Sequence, residues 1–242
     1  MAHTLPDYTT KYKLSQFFAT IDQAELAARL GSIITRDRRG RVIWFDDFND
    51  TISKWGVSAT GEGGGVSADT ANPYFTKSCA KLETGTGAGS YCSLNKYFFL
   101  PVDTRLGFEW IFSMKGPVKR IENTNYIYKG TKRYPYTLYL DTVNNVIKLS
   151  TAAGYVTIED GDYTFLLNEY YYCHCKLVID PVTNKYVRLI IADKEIDVSD
   201  YEPGSNAYSS ERAIYENFIV GTNSTANAIA YVNGFIFTQD EP

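Results

Sequence analysis

The chain has 242 residues, a formal net charge of −4, a pI near 5.3 and a hydrophobic share of 44%. An all-β domain of this length can form one core without staples, and the mild acidity offers no basic field to hold a phosphate backbone, so nucleic acid is not an expected partner. No apolar run approaches the ~20 residues of a spanning helix, and the first residues lack the basic start and apolar stretch of a signal peptide, so a soluble chain with neither membrane insertion nor export is expected.

Leu14, Phe17, Phe18 and Ile21 follow i, i+3, i+4, i+7 spacing and define one apolar helical stripe. A second short helix follows, with a capping box at Asp22-Gln-Ala-Glu25, anchors at Leu26 and Leu30, and Gly31 where a C-terminus wants a left-handed residue. Helices this short are marginal alone in water, so the stripe is expected to dock on the rest of the chain or on a protein partner. Residues 32–35 and 41–44 can pair around a turn carrying Arg36, Arg38, Arg39 and Arg41, with Gly40 at its tight position. The arginines read as a solvated loop tip. Residues 1–41 thus form an N-terminal arm with two short helices and a β-hairpin, and residues 42–242 the main domain.

From residue 43 to 238 apolar positions recur with period two, interrupted by Gly, Asn and Asp turns. Strands are expected at 78–83, 91–99, 107–113, 125–128, 134–140, 146–150, 155–158, 172–179, 186–192, 195–198 and 228–238. Pro135 cannot donate to a ladder, which places its segment at an edge or bulge. Alternation puts Cys173, Cys175, Leu177 and Ile179 on one face of a strand and His174, Lys176 and Val178 on the other, so the cysteines read as core filler and not as half of a zinc site. Cys79 and Cys92 can approach across neighbouring strands, but the lack of an export signal favours reduced thiols. The fold class is all-β: a two-sheet antiparallel jelly-roll sandwich with a short α-helical arm.

Trp44-Phe-Asp-Asp-Phe48, Ser78-Cys-Ala-Lys-Leu-Glu83 before a Gly-rich turn, Tyr97-Phe-Phe-Leu-Pro101 before Gly107-Phe-Glu109, the stretch from Lys185 to Glu195, and Tyr231-Val-Asn-Gly-Phe-Ile-Phe237 together resemble the concanavalin A-like, laminin G-like jelly rolls. The resemblance implies two curved sheets whose concave face and end loops bind glycans or protein in relatives. The arm, with Leu26-Ala-Ala-Arg-Leu-Gly-Ser32 and the arginine turn feeding into the first strand, is similar to the leaders of some bacteriophage virion proteins that carry such a domain. Relatives that hydrolyse glucans carry a Glu-x-Asp-x-x-Glu strand. Here Glu195-Ile-Asp-Val-Ser-Asp200 would supply nucleophile (Glu195), helper (Asp197) and acid/base (Asp200). The shorter Asp200, the turn before Glu195 and the absence of a nearby Trp weigh against catalysis, since retaining chemistry needs carboxyls about 5–5.5 Å apart.

Of the 20 tyrosines, Tyr126, Tyr128, Tyr134, Tyr136 and Tyr139 crowd one hairpin region and are the candidate ligand-binding surface. Asp46 with Asp47, and Asp160 with Asp162, offer too few oxygens for calcium. No catalytic residue, metal site or cofactor is expected. The leading expectation is a non-catalytic structural and interaction protein, a virion component such as a decoration, spike or tail protein, located in the virion or in the host cytoplasm during assembly. Its partners would be copies of itself or capsid or tail proteins, with surface glycans as further ligands, and Leu14, Phe17, Phe18 and Ile21 would dock the partner. The alternative is a soluble lectin-like module, and behind it a glucanase-like hydrolase.

Overall fold

The computed structural model describes residues 37, 39–74, 76–99, 103–160, 171–209 and 212–242, and among these every regular element is a β-strand. In chain order they are β1 (Arg41–Asp46), β2 (Gly56–Ala59), β3 (Gly65–Asp69), β4 (Cys79–Glu83), β5 (Tyr91–Phe99), β6 (Leu106–Lys115), β7 (Val118–Lys129) and β8 (Lys132–Asp141). There follow β9 (Val146–Thr151), β10 (Gly154–Asp160), β11 (Cys173–Asp180), β12 (Lys185–Ile191), β13 (Lys194–Asp197), β14 (Asn206–Ala207), β15 (Ala213–Thr222) and β16 (Ile229–Gln239). The expected helices, including Leu14, Phe17, Phe18 and Ile21, lie outside the described residues.

The strands form two sheets in which every pairing is antiparallel. The first runs β13-β12-β11-β6-β16-β4-β3 with β1 alongside β16; the second runs β10-β9-β8-β7-β15-β5-β2 with β14 alongside β8. Thus β1 pairs with the last strand of the chain, Arg41 facing Gln239 and Asp46 facing Phe235, while its expected hairpin partner at 32–35 lies outside the described residues.

Inward residues of both sheets close one core. Trp110 is its centre, with ring centroids 4.5 Å from Phe235, 4.6 Å from Phe218 and 5.4 Å from Trp55. Each such side chain withdrawn from water stabilises by roughly 1.5–3 kcal/mol. All four cysteines are free and buried, and Cys173, Cys175, Leu177 and Ile179 share the inward face of β11. Burial pushes the Cys79 thiol up to about 12 and Cys92 to about 11. In the native state these two thiols are therefore expected to stay silent to a colorimetric thiol reagent at pH 8 and to react only after denaturation.

Pro135 sits at a local edge. Beyond it β8 pairs with β14 through Lys132 and Arg133 and with β9 only from Leu138 onward. The gap is closed from the opposite sheet: the buried Tyr186 hydroxyl accepts from Thr137 N–H at 2.9 Å and donates to the Ser150 carbonyl at 2.8 Å.

The other face of β11 departs from expectation. Alternation does point His174 and Lys176 away from the cysteines, but not into water: Lys176 is 0% exposed. Its Nζ lies 2.7 Å from Glu241, 2.8 Å from Asp37 and 2.9 Å from Glu109, and donates to the Arg39 carbonyl at 3.2 Å. Arg188 on β12 bonds Glu241 at 2.5 Å and the Pro242 carbonyl at 2.6 Å. Glu241 can reach in because Gly107 leaves room: a Cβ there would stand 2.8 Å from Glu241 Oε1 and 2.3 Å from Thr238 Oγ1. Of the arginine-rich turn, Arg36 and Arg38 lie outside the described residues; Arg41 is exposed, and the partly exposed Arg39 bonds both the buried Asp37 and Glu195. Asp37 and Arg39 before the first strand, and Glu241 and Pro242 after the last, are tied down over the first sheet by this cluster.

Candidate functional site

The outer face of the second sheet carries the arrangement suited to a ligand. Register fixes it row by row. Tyr97 on β5, Tyr215 on β15 and Tyr126 on β7 stand directly abreast, with ring centroids 4.5 Å apart for Tyr97 and Tyr215 and 5.9 Å for Tyr215 and Tyr126. The next row is polar: Asn95, Asn217, Thr124 and Thr137. Beyond it lie Ser93, Ile219, Glu122, Tyr139 and Lys148, and Tyr139 packs against Tyr155 at 5.0 Å.

A line of short polar side chains is thus flanked by two lines of large ones. Thr124 and Thr137 are 1% and 3% exposed, their hydroxyls 3.0 Å apart, whereas Tyr97 and Tyr155 are 65% and 51% exposed. Asn217 keeps a buried carboxamide oxygen with no hydrogen-bond partner among the described residues. Burial raises the hydroxyl pKa of Tyr126 and Tyr215, and that of Tyr155 to about 12, so all three remain donors at neutral pH. Strands spaced about 4.8 Å apart make the four-residue polar row some 14 Å long. Open rings beside amide and hydroxyl groups are what a sugar ring with an apolar face and polar rim requires.

The five tyrosines singled out in the sequence do not form one surface. Tyr126 and Tyr139 point outward and stay partly open, Tyr128 points the same way but is 4% exposed against Tyr208, and Tyr136 is 0% exposed in the core, its hydroxyl donating to the Asp180 carbonyl at 3.3 Å. Tyr134 packs on that core beneath Lys129, whose Nζ is 5.6 Å from the ring. The hairpin brings all five together in sequence, and the period of two sends alternate members to opposite sides. Tyr97 was legible as the outward partner of Phe98 in the 91–99 strand; Tyr215 was not, because β15 went unrecognised.

Glu195 and Asp197 lie on β13, and Asp200 lies in the turn after it. Glu195 takes a forked bond from Arg39 at 2.9 and 2.8 Å, which holds its carboxyl below the usual range. Asp197 accepts from the Ser199 amide, which lowers its pKa likewise, and Asp200 follows in an exposed turn. Asp46 accepts from Phe48 N and Trp55 Nε1, both at 3.0 Å, and Asp47 from Asn49, so these carboxylates serve the turn after β1. The side chain of Asp160, and all of Asp162, lie outside the described residues. Among those residues no three His, Cys, Asp or Glu side chains are placed to hold a metal ion, and no helix is long and apolar enough to cross a membrane.

No protein-family model and no curated protein matches the sequence. Among solved structures the chain is similar to the endo-β-1,4-glucuronan lyase of the fungus Trichoderma reesei, with a TM-score of 0.53, 10% identity, and 82% of this chain and 95% of that one covered. It is similar also to peanut lectin, with a TM-score of 0.50, 10% identity, and 81% and 95% covered. At such identities the likeness is one of backbone architecture, and with the strand order above it places this chain among the concanavalin A-like jelly-roll sandwiches in fold.

Proposed function

We propose that the protein is a glycan-binding module that holds an extended oligosaccharide across the outer face of the second sheet. The observation that carries this reading is the row of Tyr97, Tyr215 and Tyr126 beside the polar row of Asn95, Asn217, Thr124 and Thr137. The first offers ring faces to stack on; in the second, Asn95 and Asn217 offer amide groups to sugar hydroxyls beside the buried Thr124–Thr137 pair, which bonds to itself. That the fold is shared with a lectin and with a glycan-cleaving lyase adds support. The carboxylates on this face are engaged by cations, Glu122 with Arg120 at 3.7 Å and Asp141 with Lys148 at 2.7 Å, which favours binding over catalysis. The virion reading draws instead on the arm of residues 1–41, most of which lies outside the described residues, so the glycan-binding reading takes precedence.

Tyr215→Ala removes the middle ring and is expected to weaken binding of a preferred hexasaccharide by about tenfold or more, one stacked pair being worth ~0.5–1.5 kcal/mol beyond its area. Tyr74→Ala alters a more open ring, 58% exposed and packed on Tyr172, away from this face, and should leave binding unchanged. Titration calorimetry against a panel of β-linked hexasaccharides checks both. Equal losses in the two variants, or no binding across the panel, would overturn the assignment.

A further inference from the structure

Among the described residues three cations stand on the ligand face, and one of them, Arg133, has no carboxylate beside it. Arg120 lies 3.7 Å from Glu122 and Lys148 lies 2.7 Å from Asp141. Arg133 on β8 pairs with Tyr128 across the ladder and reaches back over the tyrosine row. Its guanidinium carbon is 5.1 Å from the centroid of Tyr126 and 5.3 Å from that of Tyr208. Its Nε is buried with no hydrogen-bond partner among the described residues, the guanidinium bonds the Tyr128 side chain, and no carboxylate among the described residues forms an ion pair with it. A guanidinium held between two rings is preorganised, so little side-chain freedom is lost when it bonds a ligand.

Tyr126 stands opposite Pro135, two residues from Thr137 along β8. At about 3.3 Å per residue the guanidinium therefore sits some 7 Å from the polar row, within reach of a charged substituent on a sugar lying there. A planar fork of donors matches a carboxylate or sulfate, and a neutral sugar offers nothing to discharge it.

We propose that the glycan is acidic, a uronate-containing chain whose carboxylate is received by Arg133. The inference rests on the glycan-binding reading and specifies its ligand class.

The test compares oligogalacturonate and cellohexaose, both as hexamers, against wild type, Arg133→Gln and Arg133→Lys, each first shown by thermal melting to be folded. Wild type is expected to prefer the uronate hexamer by on the order of ten- to a hundredfold, the range of a charge-assisted bond, and to lose affinity as salt rises. Arg133→Gln should abolish both the preference and the salt dependence; Arg133→Lys should retain the salt dependence with part of the preference. Equal binding of the two hexamers by wild type, or an unaltered preference in Arg133→Gln, overturns the acidic assignment and leaves the glycan-binding reading intact. No binding of either hexamer overturns both.

Discussion

Replacing Lys176 with methionine is expected to destabilise the protein by about 3–5 kcal/mol, the usual cost of removing one member of a buried ion cluster. For a domain of this size that lowers the melting temperature by about 10 °C. The reason is the company Lys176 keeps. Asp37, Glu109 and Glu241 all bond its ammonium and are at most 5% exposed, so without it three carboxylates face one another with only Arg188 on Glu241 and the half-exposed Arg39 on Asp37 to offset them among the described residues. Burial by itself would lower the Lys176 pKa, and the charges of Glu109, Glu241 and Asp37 reverse that and raise it. Burial likewise opposes ionisation of Asp37, but the charge and bond of Lys176, with bonds from Arg39, bring it down to about 2. A depressed carboxylate contributes stability above its unfolded value, near 3.9, and loses it as pH falls towards 2. Two controls isolate the cluster. Lys81→Met breaks a 2.6 Å pair with Glu83 whose partners are 25% and 29% exposed, and should cost under about 1 kcal/mol. Glu109→Gln in the Lys176→Met background removes one uncompensated anion and should recover part of the loss. Urea unfolding of the variants is the measurement, and a Lys176→Met cost no larger than that of Lys81→Met would show that the cluster holds nothing down.

Alternation carried the fold because most strands obey it. β6, with Phe108, Trp110 and Phe112 inward, and β16, with Phe235 and Phe237 inward, are readable at sight. Where the reading failed, a polar residue occupied an inward or covered position. Lys176 alternates with cysteines and looks wetted until one knows that Asp37, Arg39 and Glu241 close over it, information that sits more than sixty residues away in either direction. The ligand face was half legible for a related reason. Tyr126 and Tyr139 could be named from their hairpin, but their neighbours on the sheet, Tyr215 and Tyr97, come from strands distant in sequence whose adjacency is a matter of topology. β15, the strand between them, was overlooked because its inward series runs Ile214, Glu216, Phe218, Val220. A glutamate in the second place breaks the apolar pattern that marks a strand.

That glutamate makes the protein's stability depend on pH in an unusual sense. Glu216 is 0% exposed between the sheets. Its Oε1 accepts from Trp110 Nε1 at 3.0 Å and from Asn123 Nδ2, while Oε2 is buried with no partner among the described residues. Burial, only partly offset by those two donors, pushes its pKa up to about 8. The unfolded chain gives up this proton near pH 4.3, whereas the folded chain keeps it. Stability from this residue is therefore greatest at acid pH and falls by about 1.4 kcal/mol per pH unit as pH rises from about 4.3 to about 8, where the slope flattens. The accumulated loss is on the order of 5 kcal/mol. Asp37, with its pKa near 2, titrates below this window and does not mask it. Glu216→Gln supplies a neutral isostere whose oxygen still accepts from Trp110 and Asn123, so the variant should match wild type or fall slightly below it at pH 4–5 and exceed it by several kcal/mol at pH 8–9. The difference between the two urea-derived stability curves across that range cancels every other titrating group. A difference that stays constant from pH 5 to 9 would mean that Glu216 ionises in the folded state as readily as in water, and that the core admits solvent where it looks dry.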